Sequence, residues 1–234
     1  MKDKKRFVKE KFSRVTRRYD LVNRVGSLGR DAFWRRKAAA ELIAFPGPLL
    51  DLCAGTLPLA LELVRQRPRP VAALDLTPEM LLYGKWRLRR HPLARYITCV
   101  VGDAEALPFR NHSFQGATMA FGLRNLARPR QGLSEVFRVL RPGGKLVILE
   151  FSRPQAPLFA PLYAFYLRHF LPLLGGWLTG DREAYLYLAR SIYAFAAPKE
   201  VLSWMAETGF EDLRAYPLTL GVVTIYTGIK GRSV

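Results

Sequence analysis

The sequence predicts an α/β fold whose doubly wound, mostly parallel sheet has seven strands and an antiparallel last strand. Short, continuously apolar runs such as LLDLC, VAALD and KLVILEF are typical of parallel strands that helices cover on both faces. Helical segments separate these runs, which indicates right-handed βαβ units. Two late β segments are joined too tightly for a parallel crossover, so they must pair antiparallel.

The elements follow one another in a regular order. Residues from about 4 to 45 look helical and basic, with apolar positions at helical spacing, namely Phe7, Val8, Phe12 and Val15. The stretch Phe45–Pro46–Gly47–Pro48 breaks this region. We then expect helices over about 58–66, 78–91, 130–140 and 198–208. The late β segments cover 210–219 and 222–230, and a Pro-Gly-Gly turn at 142–144 leads into the strand KLVILEF.

The charge balance is extreme, because 37 basic residues face 19 acidic ones and give a net charge of +18. Such a field favours polyanions, either nucleic acid or an anionic lipid surface, although an Arg-rich composition could also reflect a GC-rich genome. No RNA-binding module accompanies the basic residues. Cys53 and Cys99 form neither a disulfide framework nor a metal-ligand spacing and are expected to be plain core thiols. A reducing cytoplasm is the expected compartment, since the charged start leads into no signal-peptide core.

The apolar segment PLFAPLYAFYLRHFLPLLGGWL approaches the ~20 residues that a membrane span needs. Pro161, Pro172 and the central pair Arg168–His169 argue against a lipid-exposed span, because charge is costly there. We expect a helical lid or an insertion into the membrane surface instead.

Two motifs indicate a nucleotide-binding edge. In LLDLCAGTLPLA, a strand ends near Asp51, a turn passes through Gly55 and Thr56, and Pro58 opens a helix. This could equally be a structural strand–turn–helix. Asp75 ends the next strand, twenty residues after Gly55, where a carboxylate can accept hydrogen bonds from a ribose. The alternative is that Asp75 caps the following helix together with Thr77.

Two further strand ends carry polar groups. Asp103 and Ala104 in GDAEALPF could hold an adenine edge, or they could form an ordinary turn. In FGLRN, Gly122 is expected to free the backbone, while Arg124 and Asn125 present a cation and an amide to the same edge. A permanently charged arginine can steady a developing oxyanion, although a solvated loop arginine is the simpler interpretation.

Together these motifs resemble the class I S-adenosylmethionine-dependent methyltransferases and, more narrowly, the ubiquinone/menaquinone biosynthesis C-methyltransferase family. The likeness covers most of the chain. Its specific parts are YDLVNRVGSLGRDAFWRR, GDAEALPF, AFGLRN, EVFRVLRPGG, LEFSRP, EAYLYLARSI and GFEDLRAYPLTLGVVTIYTG. The chain departs from the family pattern in the first loop. The family usually has Gly-Thr-Gly-Asp there, whereas this chain has Gly55–Thr56–Leu57–Pro58. Leu57 could crowd the cofactor, and an acidic residue is missing.

The resemblance implies a Rossmann-like methyltransferase that binds S-adenosyl-L-methionine. The cofactor-binding residues that it implies are Asp51, Gly55, Thr56, Asp75, Leu76, Asp103, Ala104 and Ala120. Arg124 and Asn125 would position the acceptor ring and stabilise its phenolate, Asp103 or a water that it holds is a candidate base, and His169 is a weaker candidate. No metal is implied.

The implied reaction is methyl transfer to a ring carbon of a polyprenylated quinol, in menaquinone biosynthesis, ubiquinone biosynthesis or both. Such a substrate lives in the membrane, so the chain is expected in the cytoplasm, bound peripherally to the anionic inner face of the membrane. We expect one domain over 1–234. Its parts are a basic helical extension at 1–45, a cofactor-binding core at 46–151, an apolar insertion or lid at 152–182 and a C-terminal completion of the sheet at 183–234.

Other functions stay open at this point. The basic charge also suits a methyltransferase of RNA or of another soluble substrate, although no specific nucleic-acid partner is expected. The altered first loop also suits a non-catalytic cofactor-binding homologue or a membrane-associated scaffold. A nicotinamide dehydrogenase is disfavoured because the loop lacks the full GxGxxG pattern. A homo-oligomer is possible.

Overall fold

The computed structural model describes residues 4–6, 10, 13, 16, 19–180 and 182–231, and the predicted helical positions Phe7, Val8, Phe12 and Val15 lie outside the described residues. The helices are α1 (Tyr19–Gly26), α2 (Asp31–Ala40), α3 (Pro58–Gln66), α4 (Pro78–Leu88), α5 (Pro129–Val139), α6 (Phe159–Phe165), α7 (Leu171–Thr179), α8 (Arg182–Ala194) and α9 (Pro198–Thr208). The strands are β1 (Leu49–Leu52), β2 (Val71–Asp75), β3 (Ile97–Val101), β4 (Phe114–Ala120), β5 (Leu140–Phe151), β6 (Phe210–Leu218) and β7 (Val223–Lys230).

The strands form one seven-stranded sheet in the order β3-β2-β1-β4-β5-β7-β6. The first five strands pair in parallel, and β7 lies antiparallel to both of its neighbours, β5 and β6. The predicted fold class is therefore confirmed, including the antiparallel last strand. The tight connection from β6 to β7 explains this direction, because a parallel return would need a long crossover.

Helices cover both faces of the sheet and divide the core into two clusters. On one face, α2 and α3 supply buried residues such as Trp34 and Leu63. On the other face, α5 and α9 supply buried residues such as Val136 and Met205. Burying one large apolar side chain completely contributes about 1.5–3 kcal/mol, so these two layers are the main source of stability. They also fix the strand ends that carry the polar residues.

Strand β1 lies inside the sheet, with β2 on one side and β4 on the other. The chain changes direction across the sheet at this point, because β2 and β3 extend one way and β4 and β5 the other. In open α/β sheets, ligands bind in the crevice outside the carboxyl ends of the strands at such a switch point. The loops after β1 and β4 meet there.

The predicted boundaries need two corrections. The helix that begins at Pro78 ends at Leu88 rather than at residue 91, and Pro92 starts a short 3-10 turn that a proline suits. Strand β5 begins at Leu140, before the Pro-Gly-Gly turn. The pairing with β4 jumps from Leu140 to Lys145, and Gly143 has a φ of 76° in this irregularity.

The apolar segment forms α6, a π-helical turn (Tyr166–Phe170) and α7. Tyr163, Leu167 and Leu171 are buried against the body of the protein. Other large apolar side chains of this segment are exposed, namely Leu158, Leu162, Phe165, Phe170, Leu173 and Trp177. Among the residues that the structure describes, no helix is both long enough and apolar enough to span a bilayer.

Candidate active site

A cleft of about 690 Å³ opens at the switch point of the sheet. Its wall contains residues that follow β1, β2, β3 and β4, together with one residue from near the N-terminus. They are Lys5, Cys53, Gly55, Leu74, Asp75, Leu76, Thr77, Met80, Gly102, Asp103, Ala104, Ala120, Phe121, Gly122, Asn125 and Leu126.

The loop after β1 is tightly wound and brings its backbone to the cleft. Cys53, Gly55 and Leu57 all have positive φ values, of 53°, 52° and 70°. Leu57 is buried and packs beneath Gly84 of α4, where an added Cβ would lie 2.7 Å from Leu57 Cγ. The side chain therefore points into the core and is not part of the cleft wall. Pro58 occupies the first turn of α3, as expected.

Asp75 shapes the loop and faces the cleft at the same time. Its Oδ2 accepts a 2.8 Å hydrogen bond from the Gly55 N–H, and its Oδ1 accepts one of 2.8 Å from the Thr77 N–H. The sequence offered ribose binding and helix capping as alternatives. Asp75 bonds to the Thr77 N–H in the turn before α4, but Thr77 at the helix N-cap makes no side-chain capping hydrogen bond. Because Asp75 also lines the cleft, its remaining lone pairs can accept hydrogen bonds from a ligand. Burial raises the pKa of this carboxyl group, although the Thr77 and Gly55 N–H groups oppose the shift.

Asp103 and Ala104 line the neighbouring part of the cleft. The Glu105 N–H donates a 2.8 Å hydrogen bond to Asp103 Oδ1. Lys5 Nζ lies 2.5 Å from Asp103 Oδ2 and 2.8 Å from the buried Glu105 Oε2. Sequence reasoning did not find Lys5, because nearly a hundred residues separate it from Asp103 and no local pattern connects the two positions.

Arg124 is held in a buried ion pair. Its Nη1 donates hydrogen bonds to Glu150 Oε1 at 2.6 Å and to the Phe121 carbonyl at 2.7 Å. Its side chain is only 6% exposed, so the interpretation of a solvated loop arginine is wrong. Arg124 does not line the main cleft. It lines a wider, more open cavity of about 1250 Å³ beside it, together with Arg153, Tyr187 and Arg190.

Asn125 faces the main cleft and is oriented from two sides. Its Nδ2 donates to the Phe121 carbonyl at 3.1 Å, and its Oδ1 accepts a 3.0 Å hydrogen bond from the Tyr187 hydroxyl. Burial raises the pKa of Tyr187, so this hydroxyl stays protonated and keeps donating. Tyr187 lies in the EAYLYLARSI segment, whose sequence gave no sign of which tyrosine would reach the loop.

Gly122 was expected to free the backbone of the FGLRN loop, but the structure requires glycine here for lack of space. Its φ is −101°, which any residue can adopt, so the position does not need backbone freedom. It needs space instead, because an added Cβ would lie 2.6 Å from Cys53 Cβ and 2.7 Å from Cys53 Sγ. Neither Cys53 nor Cys99 is fully buried, and Cys53 forms part of the cleft wall rather than of a closed core.

Asp51 and Thr56 are buried and lie outside the wall of the main cleft. Asp51 Oδ1 accepts a 2.7 Å hydrogen bond from the Thr118 hydroxyl, and burial raises the pKa of Asp51 to about 7. Asp51 lines a smaller cavity of about 280 Å³ behind the cleft. His169 is exposed on the π-helical turn, where its ring lies 5.0 Å from that of Phe165, and it borders neither cavity.

The main cleft suits an adenine nucleoside. The Asp75 carboxylate can accept from ribose hydroxyls, and Asp103 can accept from an amino group on a base. Leu76, Met80 and Leu126 supply apolar walls for the ring. Among the described residues, no group of three or more His, Cys, Asp and Glu side chains is placed to hold a metal ion.

Comparison with known proteins identifies relatives over nearly the whole chain. The ubiE/COQ5 methyltransferase family matches residues 1–230. A ubiquinone/menaquinone biosynthesis C-methyltransferase from Geobacter sulfurreducens is 42% identical over 96% of this chain and 88% of its own length. A demethylmenaquinone methyltransferase from Deinococcus radiodurans is 41% identical over 97% of this chain and 94% of its own.

The fold also matches solved structures. A SAM-dependent methyltransferase from Thermotoga maritima, described as a possible histamine N-methyltransferase, superposes with a TM-score of 0.66. The match covers 95% of this chain and 99% of the other, at 17% sequence identity. At that identity the likeness establishes the fold alone.

Proposed function

Because the chain belongs to the ubiE/COQ5 methyltransferase family, we propose that it transfers a methyl group from S-adenosylmethionine to a ring carbon of a polyprenylated quinol. The acceptor is demethylmenaquinol or the corresponding benzoquinol. The names of relatives that match this chain over nearly its whole length support this choice. The observation that carries the proposal is the FGLRN loop. The Asn125 amide lies in the cleft wall, and both this amide and the Arg124 guanidinium donate to the Phe121 carbonyl.

The cleft fits the donor, S-adenosylmethionine. Asp75 would hold the ribose, Asp103 and Ala104 the adenine, and the tightly wound loop at Gly55 would let the backbone approach closely. The bound donor supplies a sulfonium methyl group that a carbon nucleophile can displace in line. In the structure, Lys5 Nζ donates a hydrogen bond to the Asp103 carboxylate. When the donor is bound, Lys5 and the adenine amino group would both donate to this carboxylate.

The acceptor needs activation, because its phenolic hydroxyl has an unperturbed pKa of about 10. Loss of that proton pushes electron density onto the neighbouring ring carbon. We assign Asn125 to donate to the phenolate oxygen and Arg124 to stabilise the charge from behind. The amide orientation is set in advance by Phe121 and Tyr187, so little reorganisation is needed.

Arg124 and Asp103 are weak candidates for the general base. An arginine is almost never neutral, and Arg124 is already hydrogen-bonded to the Glu150 carboxylate. Both Asp103 oxygens already accept hydrogen bonds, from Lys5 and from the Glu105 N–H. A water molecule held by Asp103 would relay the phenolic proton to a free lone pair of this carboxylate, or to solvent.

We also propose that the protein works at a membrane surface. The exposed apolar side chains of α6, the π-helical turn and α7 would insert at the interface, and they could shelter the isoprenoid tail. The net charge of +18 favours the anionic inner leaflet, where a basic residue near the surface contributes up to ~1 kcal/mol.

A methyl-transfer assay tests the function directly. Purified protein is incubated with S-adenosylmethionine labelled in its methyl group. The acceptor is demethylmenaquinol, or its benzoquinol counterpart, prepared by chemical reduction of the quinone. We expect label in the ring of the quinol, and none with the oxidised quinone, because only the reduced ring has a hydroxyl to ionise. Donor binding without turnover of either quinol would support a non-catalytic homologue, and label in RNA would support the soluble-substrate alternative.

A further inference from the structure

The smaller cavity behind the cleft contains a buried basic side chain and a buried acidic side chain that do not meet. Arg35 of α2 is 6% exposed and Asp51 of β1 is 1% exposed, and both line this cavity. No salt bridge joins them among the described residues. Asp51 Oδ2 and Arg35 Nε are each buried and have no hydrogen-bond partner within the described part of the chain. Leaving such groups unsatisfied costs about 1–3 kcal/mol each, and more when they are charged.

This cavity adjoins the main cleft. Cys53, Gly55 and Ala120 line both spaces, so they share a wall. The Arg35 guanidinium also lies 5.5 Å from the centre of the Phe121 ring, and Phe121 lines the main cleft. Adenine at Asp103 and ribose at Asp75 leave the third part of the donor, its amino-acid end, to extend past Gly55. That end carries a carboxylate and an ammonium group.

The sequence around Arg35 holds its guanidinium in place. Arg35 Nη1 pairs with the Asp31 carboxylate one helical turn earlier, which leaves the Nε edge of the guanidinium to the cavity. Ser27 Oγ in turn accepts a 3.2 Å hydrogen bond from the Asp31 N–H. Next to Arg35, Trp34 Nε1 donates a 2.8 Å hydrogen bond to Thr219 Oγ1 and fixes the helix to the far end of the sheet.

From this arrangement we infer that Arg35 binds the carboxylate of the donor's amino-acid end through the Nε edge of its guanidinium, with Asp51 facing the neighbouring ammonium group. An arginine edge matches a carboxylate geometrically, and a charge-assisted pair in a buried site is among the strong hydrogen bonds. The inference rests on the proposed function, because it takes the cleft to be the donor site.

Calorimetry with two ligands tests it without any turnover. S-adenosylhomocysteine carries the amino-acid end, whereas 5′-methylthioadenosine keeps the adenosine and lacks both charged groups. We expect Arg35→Met to weaken binding of S-adenosylhomocysteine by ~10–100-fold, the range for a lost charge-assisted hydrogen bond. Affinity for 5′-methylthioadenosine should stay within about twofold of the parent. Arg36→Met is the matched control, because Arg36 is the next residue along the helix and its side chain is 72% exposed. This variant should leave both affinities unchanged.

The outcomes separate this inference from the proposed function. If Arg35→Met weakens both ligands equally, or neither, then Arg35 has only a structural role and the inference is wrong while the donor site stands. If the unmodified protein binds neither ligand, the proposed function fails with it. Should Arg35→Met not fold, S-adenosylhomocysteine and its decarboxylated analogue are compared on the unmodified protein and on Arg35→Lys. A preference for the carboxylate that Arg35→Lys reduces supports the inference, and equal affinities overturn it.

Discussion

Glu150 Oε1 lies 2.6 Å from Arg124 Nη1, and the two side chains are 0% and 6% exposed. The same carboxylate accepts a hydrogen bond of 3.2 Å from the Arg124 N–H through its other oxygen. Glu150 therefore fixes both the backbone and the guanidinium of the residue beside the cleft. It also partly offsets the charge of that guanidinium, so the stabilisation that we propose for Arg124 depends on its orientation as well as on its charge.

Replacing Glu150 by alanine should be strongly destabilising. Removing one partner of a buried pair leaves the other charge uncompensated, which costs about 3–5 kcal/mol. Urea denaturation followed by circular dichroism measures the loss in unfolding free energy. Glu207→Ala is the control, because Glu207 pairs with Arg130 in an exposed bridge, and its loss should cost at most about 1 kcal/mol. Equal losses for the two variants would contradict the assignment.

Asp75→Ala should weaken the binding of S-adenosylhomocysteine. The carboxylate would no longer accept from the ribose, and the Gly55 and Thr77 N–H groups would lose their acceptor. We expect an affinity loss of ~10–100-fold by calorimetry. Glu79→Ala is a control of the same charge, since Glu79 is exposed in the first turn of α4. Unchanged affinity in Asp75→Ala would rule out the ribose assignment.

Gly122→Ala should disturb the cleft through Cys53. The new methyl group would lie 2.6 Å from Cys53 Cβ, and overpacking of this kind typically costs about 1–3 kcal/mol. Both the unfolding free energy and the affinity for S-adenosylhomocysteine should fall. The double variant Gly122→Ala with Cys53→Gly removes the clashing atoms and should recover most of each loss. Glycine also suits the φ of 53° at position 53. If the double variant has the same low stability and affinity as Gly122→Ala, then the contact with Cys53 is not the cause of the loss.

Asp51 should make stability depend on pH in a defined window. Burial raises its pKa from 3.8 to about 7, against the opposing effects of the Thr118 hydroxyl, the Ala60 N–H and the Arg35 guanidinium. The folded state therefore keeps a proton that the unfolded state has released, and the contribution of this group to stability falls as the pH rises from about 4 to about 7.

Asp51→Asn removes that titration and keeps an oxygen for the Thr118 hydroxyl. The unfolding free energy of the variant, measured against its parent, should improve steadily from pH 5 to pH 7 and then stay constant. Urea denaturation at pH 5, 6, 7 and 8 gives the comparison. Parallel pH curves for the two proteins would show that Asp51 does not have a raised pKa.

The apolar segment should determine attachment to lipid. Replacing both Leu173 and Trp177 by serine removes two side chains that are 62% and 83% exposed. Flotation with anionic liposomes at low salt should recover clearly less of this variant than of the parent. Trp86→Ser is the control, because Trp86 is 57% exposed on α4, away from the segment. Equal recovery of all three proteins, or no flotation of the parent, would contradict membrane attachment through α7.

Much of this architecture could be predicted from local patterns. The apolar runs marked the strands, and strand ends in a parallel sheet fall on one edge, so Gly55, Asp75 and Asp103 were expected together. Glu150 was visible as an acidic residue inside the apolar run KLVILEF, and a charge in such a run calls for a buried partner. Which cation would reach it could not be deduced, because the pairing of β4 with β5 decides that.

Lys5 and Arg35 escaped prediction for another physical reason. Both belong to a basic N-terminal region that contains many lysines and arginines, and the sequence alone does not show which of them are buried. Only the packing of Trp34 against Phe121 and Phe151 turns α2 so that Arg35 is buried and Arg36 is exposed. The departure at Leu57 was visible in the sequence, but the burial of its side chain away from the cleft depends on the space that Gly84 leaves in α4.

The position of β7 in the sheet has a consequence for biosynthesis. Phe151 of β5 pairs with Val223 of β7, so the edge of β5 stays open until the chain has been synthesised beyond residue 223. An unpaired apolar strand edge is a template for wrong associations. A nascent chain, or one shortened before β7, would therefore expose the apolar edge of β5, so pairing with the β6–β7 hairpin protects each newly made molecule from aggregation.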